Sequence, residues 1–123
     1  ATGENLLRML ECRLDNIVYR LGFANSRSQA RQLINHRHFS VNGRLTDIPS
    51  FIVKAGDVVV LKEKSRNSKI FKETIESAGE RLPVPSWLEL NKGEFKGTVV
   101  RLPGREDITE DVKENLIVEL YSK

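Results

Sequence analysis

The chain has 123 residues and a mass of 14.0 kDa, enough for one domain with a real core, or a small domain plus a packed extension. A single cysteine, Cys12, excludes an internal disulfide and the disulfide-stapled secreted scaffolds, and a reducing compartment fits best. The net charge is only +3, but residues 1–72 hold 13 Lys/Arg against 6 Asp/Glu (net +7), and residues 73–123 hold 7 against 11 (net −4). Such asymmetry points to a basic binding surface in the first part, with nucleic acid as the usual partner. No apolar run approaches the ~18 residues of a membrane helix, so no membrane partner is expected. The opening ATGENLLRML lacks the basic start and apolar stretch of a signal peptide.

In chain order, Leu6, Leu7, Met9 and Leu10 recur at helical spacing and predict a first short helix. Leu14, Ile17, Val18 and Leu21 stand at i, i+3, i+4 and i+7, one apolar helix face, and Gly22 is its stop. Asn25-Ser26 offers a new N-cap for a helix from about Arg27 to His36 that buries Ala30, Leu33 and Ile34. The period then changes. Val41 before Asn42-Gly43 is a hairpin signal, Pro49 marks a bend, and Val58 to Leu61 is a buried strand by composition. Residues 62–69 are polar and resemble a boundary. A further helix is expected from about Arg66 or Asn67 to Ala78, ended by Gly79. Pro83 and Pro85 forbid regular helix. Short strands follow at Trp87 to Leu90 and Phe95 to Leu102, with Gly93 and Gly97 read as turn and bulge residues. Asp111 to Glu114 can form one helical turn, and Leu116 to Tyr121 reads as a strand. The fold class is α+β: short helices packed on a small, mostly antiparallel sheet. Three segments are expected: a helix over 1–12, a module over 13–72, and a helix-and-strand extension over 73–123.

The cations fall into place on the two middle helices. Arg13, Asn16 and Arg20 share a face beside the apolar one. Arg27, Arg31 and Asn35 form a stripe at i, i+4, i+8, and Gln32 and His36 lie further round the same polar side. Arg37 and His38 follow where helix gives way to strand. The helix start at Ser26 and Arg27 adds free N–H groups and the positive dipole end, which suit a phosphate. Any amphipathic helix needs a polar side, and that alone would explain one arginine. Two adjacent arginine-lined helices, with Asp15 as the only acid between Arg13 and His38, favour a nucleic-acid surface. RNA is preferred, because arginine can grip phosphates or stack on unpaired bases. No nucleophile–base–acid set, phosphate-cradling glycine loop or metal-ligand cluster appears. No catalytic residue, metal or cofactor is therefore expected, and the protein is not expected to be an enzyme. Cys12 and Asp57 read as structural, and Trp87 as core.

The run RLDNIVYRLGFANSRSQARQLINHRHFSVNG, followed by DIPSFIVKAGDVVVL, resembles the S-four RNA-binding module. The later PSWLELNKGEFKGTVVRLP and the terminal ENLIVELYSK resemble the C-terminal part of the bacterial-type small-subunit ribosomal protein S-four family. The resemblance implies RNA contact through Ser26, Arg27, Arg31, Gln32, His36, Arg37 and His38, with Arg13 and Arg20 on the preceding helix and Asn42 at the hairpin turn. Lys62, Lys64 and Arg66 extend the basic strip, although a solvated linker is the plainer reading for them. It also implies a structural constituent that binds small-subunit ribosomal RNA early in assembly. Its expected partners are that RNA, the neighbouring ribosomal protein S-five and, in some members, its own messenger, with an effect on decoding accuracy. The same module occurs in RNA pseudouridine synthases and tyrosyl-tRNA synthetases, so an enzyme's RNA-binding appendage is the alternative. Family members carry a preceding N-terminal region, in some with zinc-binding cysteines, so the chain reads as a fragment of a longer one. The expected location is the ribosome, in the cytoplasm or in an organelle with a bacterial-type ribosome.

Overall fold

The computed structural model describes residues 2–81 and 83–104. The helical turn expected at Asp111 to Glu114 and the strand expected at Leu116 to Tyr121 lie outside the described residues. Three helices open the fold: α1 (Thr2–Glu11), α2 (Leu14–Leu21) and α3 (Arg27–Asn35). The hairpin β1 (Phe39–Val41) and β2 (Arg44–Thr46) follows, then β3 (Val58–Leu61). A 3-10 turn at Glu63–Ser65 leads into α4 (Lys69–Arg81), and β4 (Leu88–Asn91) and β5 (Lys96–Val99) complete the described part. The strands form one antiparallel sheet in the order β2-β1-β3-β5-β4. The chain is thus α+β, as its patterning predicts.

Local chemistry fixes the helix ends. Arg13 precedes α2 without a side-chain cap. Two orphan amides at the start of α2 are instead satisfied by the 49–53 loop: Leu14 N–H donates to the Phe51 carbonyl (2.8 Å) and Asp15 N–H to that of Pro49 (3.1 Å). At its other end Gly22 is left-handed, with φ 91°. Its amide bonds the Tyr19 carbonyl and that of Phe23 bonds Val18, the paired closure of a Schellman motif. Ser26 caps α3 by accepting the Gln29 amide at 3.0 Å, and the Gln29 side chain reaches back to the Asn25 amide. The Asn42-Gly43 turn has φ 52° and 84°, the double positive φ of a type I′ hairpin.

The apolar faces meet in one core. Leu14, Ile17, Val18 and Leu21 of α2 and Ala30 and Ile34 of α3 pack with Phe23, Phe39, Val59, Leu61, Trp87 and Val99. Several expectations change, including the start of the last long helix, which is Lys69 and not Arg66 or Asn67. The last long helix does not stop at Gly79 but runs to Arg81; glycine is only a weak breaker when no left-handed turn follows. Gly97 is not a bulge. It pairs in regular register with Val59 on one side and Leu90 on the other. Its lack of a side chain serves packing, because a Cβ there would overlap both Leu21 methyls and lie 2.9 Å from Leu21 Cγ. Strand β4 is shifted by one residue from the expected Trp87–Leu90, to Leu88–Asn91, and β5 is shorter than the expected Phe95–Leu102, spanning Lys96–Val99.

Candidate nucleic-acid interface

The basic residues singled out from the sequence divide into two sets. The first is buried and organises the helices. Arg27, expected on an exposed stripe, is only 9% exposed. Its Nε donates to Asn16 Oδ1 at 3.0 Å, and its guanidinium lies 4.7 Å from the Tyr19 ring centroid. Asn16, expected on a polar face, is fully buried. Its Nδ2 donates to the Glu11 carbonyl (2.6 Å) and to Glu11 Oε1 (3.0 Å). Arg20 forms an ion pair with the same carboxylate at 3.3 Å. Burial pushes the Glu11 carboxyl above its ordinary value, against the opposing pull of Arg20, the Asn16 hydrogen bond and Arg27. Beside this network Arg13 chelates Asp15, Nη2 to Oδ2 at 3.0 Å and Nε to Oδ1 at 3.3 Å. Arg31, half-buried, approaches the same Asp15 carboxylate at 3.7 Å.

Two buried acids, Glu11 and Asp15, therefore pair with Arg13, Arg20 and Arg31, and Asn16 links Arg27 to Glu11. This was not evident in the sequence, where Asp15 read only as the lone acid among cations. Removing one partner of such a buried pair costs several kcal/mol, roughly 3–5, because the other charge is stranded. Arg13, Arg20 and Arg27 thus carry a structural load whatever else they touch.

The second set is outward. Ser26 and Gln32 are exposed, and so are His36 and Arg37 at the end of α3. That end is a second Schellman closure: Arg37 N–H bonds the Ile34 carbonyl (2.9 Å) and His38 N–H bonds that of Leu33 (3.3 Å). The left-handed residue here is Arg37, with φ 62°. Its side chain is 66% exposed and reaches the half-exposed Asp47 at 3.5 Å. Lys64 is exposed and Lys62 half-buried on the 3-10 turn. Arg66 turns inward, donating from Nε to the Leu61 carbonyl at 3.0 Å, with its guanidinium 5.5 Å from the Phe95 ring centroid. Arg44 on β2 is exposed too, a cation the sequence reading did not place.

His38 and Asn42 are tied to neighbours. His38 Nδ1 bonds Ser65 Oγ at 2.7 Å, and its ring meets Phe71 edge-on at 5.3 Å. Burial, then Lys62 and His36, hold it below its ordinary 6.5, so the neutral ring is favoured at neutral pH. The Asn42 amide is engaged at both ends, donating to Asp57 Oδ1 (2.8 Å) and accepting from Val58 N–H (2.8 Å). Asp57 in turn accepts from Lys54 N–H at 2.8 Å, so it is structural. Cys12 is buried and its thiol is pushed up to about 11 by burial and by Glu11, against Arg8, which leaves it unreactive. Among the described residues no cluster of His, Cys, Asp and Glu is placed to hold a metal ion. No helix among them is long and apolar enough to cross a membrane.

This arrangement joins a short helix, an arginine at its strained C-terminal turn and a basic 3-10 turn that follows β3. Residues 12–59 match the family model of the S4 domain. Over 122 residues the chain is 61% identical to the small ribosomal subunit protein uS4 of Geotalea uraniireducens, 59% to that of Thermoanaerobacter pseudethanolicus and 54% to that of Heliobacterium modesticaldum. The chain is similar to uS4 proteins over nearly all of its own length. Each match covers 99% of the chain but 58% of the relative, so the chain spans somewhat more than half the length of the uS4 proteins it matches. The S4 domain match ends within β3, so α4, β4 and β5 lie beyond it, although the 61% identity runs through them as well.

Proposed function

We propose that the chain is an RNA-binding, structural part of a small ribosomal subunit, docking on small-subunit ribosomal RNA with the C-terminal end of α3 and the 3-10 turn. The observation that carries this is the outward set Gln32, His36, Arg37 and Lys64, flanked by half-buried Arg31 and Lys62. The likeness to uS4 proteins over 99% of this chain supports it. In this reading Arg37 and Lys64 meet phosphates, His36 and Gln32 meet sugar or base edges, and the Ser26 end of α3 turns its amides to a phosphate. Arg13, Arg20, Arg27 and Asn42 position these groups instead of touching RNA. Contact with ribosomal protein S-five, an effect on decoding accuracy and repression of its own messenger are finer proposals that rest on the family resemblance. A place in the ribosome, in cytoplasm or organelle, goes with the same reading.

The test is the salt dependence of binding to small-subunit ribosomal RNA. Each phosphate contact contributes roughly −0.7 to −0.9 to the slope of log K against log salt. Contacts by Arg31, Arg37, Lys62 and Lys64 give an expected slope near −3. A slope near zero would overturn the proposal.

A further inference from the structure

Beside the outward cations lies a groove of about 470 Å³, lined by Leu33 of α3, His38, Lys62, Lys64 and Ser65 of the 3-10 turn, and Ser68, Ile70 and Phe71 at the start of α4. Its volume falls in the roughly 300–1,000 Å³ of small-ligand sites. The floor is apolar, formed by Leu33, Phe71 and Ile70. Ile70 is 63% exposed, so its side chain is open to a ligand in the groove. The walls are polar. His38 is fixed through Nδ1 by Ser65 and braced by Phe71, and its Nε2 makes no hydrogen bond among the described residues. The rim is cationic, with Lys62 and Lys64. The acid of the same turn, Glu63, is exposed and does not line the groove.

We propose that this groove receives one unpaired RNA base, stacked over the Leu33–Ile70–Phe71 floor with its edge toward His38 and Ser65 and its flanking phosphates at Lys62 and Lys64. The inference rests on the RNA-binding reading above and deepens it. That reading places a paired or folded RNA along the α3 end; this one adds a nucleotide turned out of its helix. Three features select the occupant. A base has a flat apolar face for the floor and a polar edge for an imidazole and hydroxyls, and single-stranded bases are read in this way. The lysine rim complements phosphate. The groove is also continuous with the α3 end, since Leu33 lies between Gln32 and His36, so a nucleotide leaving an RNA docked there has a short path into it.

The experiment uses the whole chain and three RNA hairpins of one sequence: fully paired, with a single bulged adenosine, and with the bulged nucleotide made abasic. The bulged hairpin is expected to bind roughly tenfold more tightly than the abasic one, within the contribution of a single base stack. Ile70→Ala, at an exposed position, and Ser68→Phe, which fills the groove, should each shrink that gap to about threefold or less while leaving the fully paired hairpin bound as before. Unfolding midpoints of both variants confirm that the fold is intact. Equal binding of base-bearing and abasic hairpins by the parent chain would overturn the groove proposal and leave the RNA reading standing. A gap unchanged in both variants would also overturn it, by placing the base elsewhere. Failure of all three hairpins to bind, even at low salt, would overturn both readings.

Discussion

Arg37 occupies the position that Gly22 fills one helix earlier. Both close a Schellman motif, both have positive φ (62° and 91°) and both precede a residue whose amide returns to the helix. A non-glycine residue there costs about 1–2 kcal/mol. Its ion pair with Asp47 is exposed and recovers little. Strain held at an exposed, charged residue is a signature of function. Arg37→Gly is therefore expected to stabilise the fold by about 0.5–1 kcal/mol, after discounting the extra freedom glycine gives the unfolded chain. The same change should weaken RNA binding and reduce its salt slope by about one. Urea unfolding and a binding titration read the two effects. A loss of stability would show that Arg37 is kept for the fold. The contrast with Arg27 shows what the sequence could and could not convey. Helical spacing correctly grouped Arg27 with Arg31 on one stripe. It could not reveal that the first turn of α3 faces Asn16 and Tyr19 of α2, because burial of a helix face depends on the neighbour and not on the period.

At the scale of elements, local signals were legible where the chemistry is local. The Leu14–Leu21 face, the Gly22 stop, the Ser26 cap and the Asn42-Gly43 hairpin all appear at the expected places. The start of α2 was less legible, since its amides are satisfied by carbonyls of Pro49 and Phe51, more than thirty positions away. Gly97 was misread for a related reason. A glycine within a strand signals either a bulge or a close approach, and only the crossing of α2 over β5 decides between them. Gly97→Ala should cost about 1–3 kcal/mol, the usual range for an added methyl in a filled core. Strand pairing should persist, since φ at Gly97 is not in the left-handed region. Gly43→Ala gives the reverse case, because nothing lies near its Cβ position but φ is 84°. Its cost is backbone strain of about 1 kcal/mol and no packing clash. Unfolding midpoints of double variants with Leu21→Ala separate the two. The smaller side chain should recover much of the loss in Gly97→Ala and none in Gly43→Ala. Absence of recovery at Gly97 would mean that Leu21 is not the obstacle.

For the whole molecule, the charge split at residue 72 does not coincide with a split in the sheet. The strand order puts β5, from the acidic part, directly against β3, from the basic part. Trp87 lies fully buried in the same core as Leu14, Ile34 and Phe39. Strands β4 and β5 of the acidic part thus share the core that holds the arginine-bearing helices, while Arg37 and Lys64 of the basic part face outward. One shared core predicts one cooperative transition. Trp87 is the single tryptophan, so its fluorescence reports the β4 side of the core, and far-UV circular dichroism reports chiefly α1 to α4. The two signals should give the same urea midpoint and the same slope in denaturant. Asn16→Ala, buried far from Trp87 in sequence, should lower both midpoints together. The alternative is a module over 13–72 that folds by itself with a loosely attached extension. In that case the fluorescence would change first, and Asn16→Ala would move only the dichroism. Coincident shifts would instead mean that RNA held at the α3 end stabilises the β4–β5 side as much as the helices it touches, because ligand binding to the native state raises the stability of the entire cooperative unit.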